Sequence, residues 1–242
     1  MNKKFRHTLS ALAATALLAA PTFFTACNDD DDSARRNIYD AVVTVIPNGN
    51  GVWFAVNDTL VVTPSNVTKP IYGNREVRAL TRFAVSASST GIANGQQVEV
   101  FAIDSILTKP ATQWTEEVDK TLGNDPISIA GDWLTVAEDG YLTLHIYVRT
   151  NQTSAPHYIH LLKGRDPEKP YELELRHSAN GNMSNINVSG YVAFDIQDIL
   201  PVGTDKTVNL TVRYKNLDGR DASVTIPCRG LSKRHIYTDA TK

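Results

Sequence analysis

Regular alternation of apolar and polar residues is the feature that most limits how this chain can fold. Over residues 141–149 every second residue is a leucine, isoleucine or valine, so one side of an extended strand is apolar. Residues 208–215 repeat this period of two, and turn pairs such as Asp139-Gly140 and Asp218-Gly219 separate the segments. A chain made of many such segments must bury one face of each strand, and we predict an all-β fold.

The strand segments fall into two blocks. About five of them lie within residues 38–108, and a small OB-like five-stranded barrel suits them because closing a sheet on itself removes its exposed edges. The second block, residues 126–230, is predicted to form an antiparallel β-sandwich. Residues 109–125 are predicted to connect the two domains through a short helix near Trp114–Lys120, and residues 231–242 to form a polar tail.

Residues 1–26 are typical of a bacterial lipoprotein signal peptide. A basic start precedes an apolar run over residues 9–20, and the small residues Thr25 and Ala26 stand directly before Cys27. The apolar run has about a dozen residues, whereas a membrane-spanning helix needs roughly twenty. We therefore expect cleavage before Cys27 and lipidation of its sulfur, so that several acyl chains anchor the protein in an outer membrane.

The cleavage site departs from the usual pattern at Phe24, where most lipoboxes carry an aliphatic residue. Ordinary signal cleavage, with Cys27 left as a free thiol, is therefore the alternative. Cys27 begins an acidic tether over residues 27–37, in which four aspartates adjoin one another: Asp29, Asp30, Asp31 and Asp32. Such a run stays extended and solvated, as a plain spacer would. It also resembles the acidic surface-export signal of some Gram-negative bacteria, so we expect a protein exposed at the cell surface.

The charge balance argues against a nucleic-acid partner. Loss of Lys3, Lys4 and Arg6 with the signal peptide takes the formal net charge from −2 to −5, and the tether aspartates carry four of those negative charges. The folded part is therefore nearly neutral. It lacks the excess of lysine and arginine on which affinity for nucleic acid depends.

The sequence contains two cysteines. If Cys27 carries lipid, Cys228 has no partner within the chain, and core burial must stabilise the fold without a disulfide. Cys228 ends an apolar run that begins at Val224, so we predict a small buried hydrophobic residue. A nucleophilic role would need a neighbouring base that forms the thiolate.

Several segments resemble the NigD-like lipoproteins. Residues 139–144, 173–177 and 192–195 of the second block carry this resemblance, and the Leu-Arg-His sequence at 175–177 is its most specific part. In the first block, residues 54–60 and 95–100 resemble the N-terminal barrel of the family. The resemblance implies an OB-like barrel followed by a β-sandwich on a surface-anchored lipoprotein. It also implies bacteriocin self-immunity, the role proposed at the locus that named the family, and it brings no catalytic residues.

Sequence motifs for catalysis, phosphate binding and metal binding are absent. His157 and His160 are three residues apart and would point to opposite faces of a strand, so we predict no metal site and no cofactor. Glu172 and Glu174 share one strand face, as paired carboxylates do in glycosidases, but we expect this face to be solvated. His177 continues an inward apolar face, and we expect a packed, hydrogen-bonded side chain. We therefore predict no catalytic residues.

The tryptophans offer the remaining binding chemistry. Trp53 and Trp133 lie beside apolar neighbours in predicted strands and are expected in the core, whereas Trp114 in the connector is the candidate ligand contact. The sequence thus predicts a non-enzymatic binding or protective lipoprotein with a protein partner at the cell surface. The alternative is a glycan-binding accessory lipoprotein of a polysaccharide-uptake system, which requires exposed aromatic residues. A hydrolase, the third possibility, requires that the glutamate pair or His177 line a cleft.

Overall fold

The computed structural model describes residues 36–49, 51–85, 91–202, 204 and 206–231. The predicted signal peptide, Cys27, the tether aspartates and nearly all of the polar tail lie outside these ranges. Within them, no helix has the length and apolar character that crossing a membrane requires. Strands make up almost all of the regular structure, so the all-β prediction is confirmed.

The first block forms a closed barrel of five strands, as predicted. Its strands are β1 (Asn37–Asn48), β2 (Gly51–Asn57), β3 (Leu60–Pro64), β4 (Val77–Val85) and β5 (Gln97–Ser105). The order around the barrel is β1-β2-β3-β5-β4, and β4 pairs with β1 to close it. All of these pairs are antiparallel except β3–β5, which is parallel.

Alternation along the barrel strands builds an apolar interior. Phe54 and Phe83 are fully buried there among small β-branched residues. The hairpin between β2 and β3 turns at Asn57, whose side-chain oxygen accepts hydrogen bonds from the backbone N–H groups of Thr59 and Leu60, both at 3.0 Å. An asparagine side chain that binds the backbone in this way favours a turn, which explains why the chain reverses after β2.

The described residues after the barrel form ten further strands and one short helix. In chain order these are β6 (Leu107–Pro110), β7 (Thr112–Gln113), α1 (Glu116–Thr121), β8 (Ile127–Ile129), β9 (Val136–Glu138), β10 (Tyr141–Thr150), β11 (Tyr158–Lys163), β12 (Glu172–Ser178), β13 (Ile186–Asp195), β14 (Thr207–Lys215) and β15 (Asp221–Arg229). A 3₁₀ turn at Gln197–Ile199 follows β13. One sheet has the order β6-β13-β10-β8 with β9 also paired to β10, and the other has the order β15-β14-β12-β11-β7.

The two sheets face each other across a continuous apolar core. Leu142, Leu144 and Phe194 from one sheet and Leu173 and Leu210 from the other are completely or almost completely buried in it. Most neighbouring strands are antiparallel, which confirms the predicted sandwich. Three pairs, β6–β13, β7–β11 and β12–β14, are parallel instead.

Part of the predicted connector belongs to the sandwich. Strand β6 lies at the edge of one sheet and β7 at the edge of the other, with the buried Ala111 between them. The backbone N–H of Ala111 donates to the carbonyl of Asp195 at 3.2 Å. Residues 107–113 therefore cross from one sheet to the other and close one side of the sandwich.

The helix begins two residues later than the sequence pattern predicts, at Glu116 instead of Trp114. Thr115 precedes α1 in extended conformation, and its hydroxyl accepts a hydrogen bond from the backbone N–H of Val118 at 3.2 Å. This is an N-cap, and it leaves Trp114 outside the helix. The helix ends at Thr121, two residues before Gly123.

A buried arginine joins the barrel to the sandwich. Arg78 on β4 has no exposed surface, and its guanidinium donates to Glu138 of β9 at 2.7 Å and to Thr143 of β10 at 3.2 Å. It also donates to Thr44 within the barrel at 2.9 Å. A buried guanidinium needs partners of this kind because an unpaired charge in an apolar interior is very costly. The two domains therefore meet in one fixed arrangement.

Candidate functional site

The barrel and the sandwich form a groove of about 300 Å³ beside this contact, which we call the junction groove. Its barrel side consists of Asp40, Ala41, Leu80, Thr81, Arg82, Ala102 and Asp104, and its sandwich side of Trp133, Leu134 and Tyr191. The bottom of the groove is well packed, because Leu80 from the barrel and Leu134 from the sandwich contact a small buried hydrophobic cluster with residues from both domains. A concave, mostly apolar surface with a few polar groups is the usual form of a binding site.

Trp133 dominates the sandwich side of the groove, and the prediction that it lies in a strand within the core is wrong. The indole is 57% exposed and sits in a turn ahead of β9, which begins only at Val136. Asp132 makes this turn, since its side chain accepts from the backbone N–H of Leu134 at 3.1 Å and its carbonyl accepts from Thr135 at 3.1 Å. These local bonds compete with strand pairing and lift the tryptophan out of the sheet.

A histidine–aspartate pair lies behind the aromatic side of the groove. The Nδ1 atom of His145 on β10 is 2.7 Å from a carboxylate oxygen of Asp132, so the ring donates its Nδ1 proton there. Burial raises the pKa of Asp132, but the hydrogen bonds from His145, Leu134 and Thr135 outweigh it and hold the pKa below its ordinary value. The Nε2 atom of His145 is buried and has no hydrogen-bond partner among the described residues.

The His145 ring is held between two tyrosines. Its centroid is 5.0 Å from that of Tyr147 on the same strand and 4.8 Å from that of Tyr191 on β13. These distances are typical of favourable aromatic contacts. Because Tyr147 is 37% exposed and Tyr191 is 36% exposed, the stack continues the aromatic surface that Trp133 begins.

The barrel side of the groove carries the charges. Arg82 donates to both carboxylate oxygens of Asp40, at 2.8 and 2.9 Å, and this contact lowers the pKa of Asp40. Asp104 is exposed at the end of β5, and no ion pair engages it within the described residues. Thr81 donates its hydroxyl to the carbonyl of Ala102 at 2.9 Å. The groove therefore offers an aromatic surface and an acidic group to a ligand.

These groups favour binding over catalysis. A histidine oriented by a carboxylate is the pattern of a general base, but it acts only on a nucleophile or a substrate proton within hydrogen-bond reach. Of the two residues with hydroxyl groups that line the groove, Thr81 donates its hydroxyl to the backbone and Tyr191 carries a weakly nucleophilic phenol. Among the residues that the structure describes, no group of three or more histidine, cysteine or acidic side chains could hold a metal ion.

The glutamate pair of β12 lies away from the junction groove. Glu172 forms ion pairs with Arg213 at 3.1 Å and Lys169 at 3.9 Å. Glu174 forms ion pairs with Arg165 at 2.6 Å and Arg176 at 3.1 Å. Both carboxylates thus stabilise charges on the sheet surface, and neither lines the cleft that a hydrolase would need.

The Leu-Arg-His element attaches the connector to the sandwich. Arg176 pairs with Asp119 of α1 and donates to the carbonyl of Gly123 at 3.0 Å. His177 is 1% exposed, and its Nδ1 donates to the carbonyl of Pro126 at 3.0 Å, so the expectation of a packed, hydrogen-bonded side chain is confirmed. Both side chains therefore hold the segment that follows α1 in place, so the Leu-Arg-His element has a structural role.

His157 and His160 are separate, as their spacing predicts. His157 lies just before β11 and contacts His177, with 2.8 Å between its Nδ1 and the His177 Nε2. His160 lies within β11, where burial and the charge of Lys109 lower its pKa. The two rings consequently have different surroundings.

Trp114, the predicted ligand contact, is half-buried between β7 and α1. The Arg165 guanidinium lies over its ring, 5.4 Å from the centroid, and the indole N–H is buried. Trp133 therefore presents more indole surface than Trp114. Sequence reasoning placed Trp133 in the core and did not single out Asp132 or His145, although an aspartate directly before the tryptophan was a usable signal for a turn.

Solved structures share this architecture. A structure described as that of a toxin-related protein from Parabacteroides distasonis is 29% identical, with a TM-score of 0.65 and coverage of 85% of this chain and 100% of that chain. A NigD-like immunity protein from Bacteroides caccae is 16% identical, with a TM-score of 0.55 and coverage of 84% and 95%. A structure described as a lipoprotein from Bacteroides fragilis is 18% identical, with a TM-score of 0.52 and coverage of 80% and 98%.

Sequence comparison identifies the second domain. No curated protein matches the chain. Residues 110–228 match the NigD-like C-terminal beta sandwich domain, and these residues include β7 to β14 and nearly all of β15. The match contains the Leu-Arg-His element that holds the connector. The second domain therefore belongs to the NigD-like C-terminal β-sandwich family, and a closed five-stranded barrel precedes it in the chain.

Proposed function

We propose that this protein is a surface-anchored lipoprotein that binds another protein at the junction groove and acts in an immunity-type, protective role. The family of the second domain supports the role, because the structurally similar protein from Bacteroides caccae is named an immunity protein and that from Parabacteroides distasonis is described as toxin related. The sequence at Cys27 supports the anchor, and one structural relative is described as a lipoprotein.

The observation that carries the binding function is the exposure of Trp133 beside a locked domain junction. The Trp133 side chain is 57% exposed and shares the groove with the partly exposed Tyr191, and aromatic residues grouped on one concave surface mark an interaction site more clearly than a single exposed side chain does. Tryptophan and tyrosine dominate the energetics of protein interfaces because they bury much surface with little loss of side-chain freedom. The buried Arg78–Glu138 contact holds both sides of the groove in position before a partner arrives.

The groove also supports a second candidate function, glycan binding by an accessory lipoprotein. The exposed Trp133 indole favours it, since an aromatic face beside carboxylates is suited to a sugar ring and its hydroxyl groups. Trp114 contributes little to such a site, because Arg165 covers one face of its ring.

Competition between strains tests the protective role. We expect deletion of the gene to make the native bacterium sensitive to factors released by competing strains, and the wild-type gene to restore resistance. The variant Cys27→Ala should fail to restore it and should lose metabolic labelling with a clickable palmitate analogue. Equal survival of the deletion strain against every competitor would contradict the role.

Surface exposure is tested separately. Protease added to intact cells should remove the wild-type protein. A variant in which the four tether aspartates become asparagine should keep its lipid label and resist the protease. Loss of both proteins to the protease would show that the acidic run is only a spacer.

A further inference from the structure

We propose that the junction groove binds an arginine side chain of the partner protein, stacked on Trp133 and paired with Asp104. The inference rests on the proposed function, because it names the chemistry of the partner at that same site. It is carried by the charges of the groove and by a contact elsewhere in this chain.

The chain already contains one arginine held in this manner. The guanidinium of Arg165 lies over the Trp114 ring at 5.4 Å from its centroid, and its Nη1 donates to Glu174 at 2.6 Å. The indole face attracts the cation through its quadrupole, and the carboxylate supplies a charge-assisted hydrogen bond. An exposed indole with a nearby carboxylate therefore supplies the two groups that hold an arginine side chain.

The junction groove presents the same two groups to solvent. Trp133 and Asp104 both line it, and Tyr191 adds a second aromatic surface. The only cation among its lining residues, Arg82, is committed to Asp40 through both carboxylate oxygens. Asp104 therefore leaves the groove with an excess negative charge that attracts a positively charged group.

Arginine fits these groups better than lysine or a neutral sugar. Its planar guanidinium stacks on an indole and pairs with a carboxylate in one geometry, whereas the ammonium of lysine is a compact, strongly hydrated charge. A neutral sugar can donate hydroxyl hydrogen bonds to Asp104, but it brings no positive charge to balance that carboxylate. Arg149 lies four residues beyond His145 on β10, roughly 13 Å along the strand, and so does not neutralise the groove.

Fluorine NMR of the full-length protein tests the proposal. The three tryptophans, labelled as 5-fluorotryptophan in protein purified from membranes, give separate resonances, and the variant Trp133→Phe identifies the one of interest. The probe is the peptide acetyl-Gly-Gly-Arg-Gly-Gly-amide. It should shift the Trp133 resonance in a saturable manner, and the same peptide with citrulline in place of arginine should not.

Charge variants provide the matched comparison. Asp104→Asn should weaken binding of the arginine peptide at least about tenfold, because a charge-assisted contact is lost. Asp221→Asn removes another exposed carboxylate, at the start of β15, and should leave binding unchanged. Equal shifts with arginine and citrulline, or no shift at Trp133, would overturn the proposal. A shift with cellobiose but not with the arginine peptide would also overturn it and would favour a glycan site.

Cell assays separate this inference from the proposed function. If Trp133→Ala and Asp104→Asn each abolish protection while the protein stays lipidated and folded, the arginine site is supported. Full protection by both variants would overturn the arginine site and leave the protective role intact. Unchanged survival of the deletion strain would reject the protective role, while the NMR titration still decides what the groove binds.

Discussion

Arg78 on the barrel and Glu138 on the sandwich form an ion pair, with 2.7 Å between Nη2 and Oε1, that lies inside the protein. The arginine side chain is fully buried and that of the glutamate is 14% exposed. Burial raises the pKa of Glu138, and Arg78 opposes this by stabilising the carboxylate. The pair therefore links the two domains through charges that depend on each other.

Replacing Arg78 with methionine should strongly destabilise the protein. The substitution leaves Glu138 buried without its cation, and breaking such a pair costs about 3–5 kcal/mol of unfolding free energy. Urea denaturation of the full-length protein measures this loss. The control is Arg82→Met, which breaks the exposed pair with Asp40 and should cost far less, because solvent screens an ion pair at the surface. Similar losses of unfolding free energy in both variants would show that the buried Arg78 pair stabilises the protein no more than the exposed Arg82 pair does.

Gly123 should tolerate no side chain. A Cβ atom there would lie 2.6 Å from the Ser178 Cβ and 2.7 Å from the carbonyl oxygen of His177, so Gly123→Ala must push the connector away from β12. We expect a loss of about 1–3 kcal/mol in thermal unfolding and faster proteolysis after the helix. Gly131→Ala is the control, because nothing lies within 4 Å of its added Cβ. Equal stability of the two variants would contradict the close packing.

Stability should fall as the pH drops below 6.5. Burial lowers the pKa of His177 from its ordinary value of 6.5, with a smaller contribution from His157, so the unfolded chain takes up a proton before the folded protein does. The stabilisation that neutral His177 contributes is complete above pH 6.5 and is lost as the pH falls through the lowered pKa of the folded protein. Through this one residue, the free energy of unfolding changes by at most about 1.4 kcal/mol per pH unit.

The variant His177→Asn should reduce this slope while keeping a donor for the Pro126 carbonyl. Some slope should remain, since burial also lowers the pKa of His160. Urea denaturation at a series of pH values measures both slopes. An unchanged slope in the variant would assign the pH dependence to another group.

Cys228 should be inert in the native protein. Burial raises the pKa of its thiol to about 12, so almost no thiolate forms near neutral pH. A chromogenic disulfide reagent should therefore detect no thiol until denaturant is added. If Cys27 is acylated, one thiol, that of Cys228, should appear after denaturation. A thiol that reacts quickly in the native protein would instead show that Cys27 is unmodified.

Local patterns account for the parts of the fold that could be predicted. Alternation located the strands, and the inward position of His177 followed from the same period of two. The exposed turn at Trp133 was missed because four hydrophobic neighbours outweighed the turn-forming Asp132 in a short window. The buried Arg78 was missed because an arginine in a strand ordinarily faces solvent, and only the partners on β9 and β10 allow it inside.

The sequence by itself determined the all-β class, the order of barrel and sandwich, the family of the sandwich and the inward packing of His177, because side-chain alternation and short motifs act over a few residues. Tertiary structure alone decided that Arg78 is buried, that Trp133 and Asp104 share one groove and that His145 pairs with Asp132. These relationships join residues on different strands or in different domains, and they arise from strand pairing and from the contact between the barrel and the sandwich.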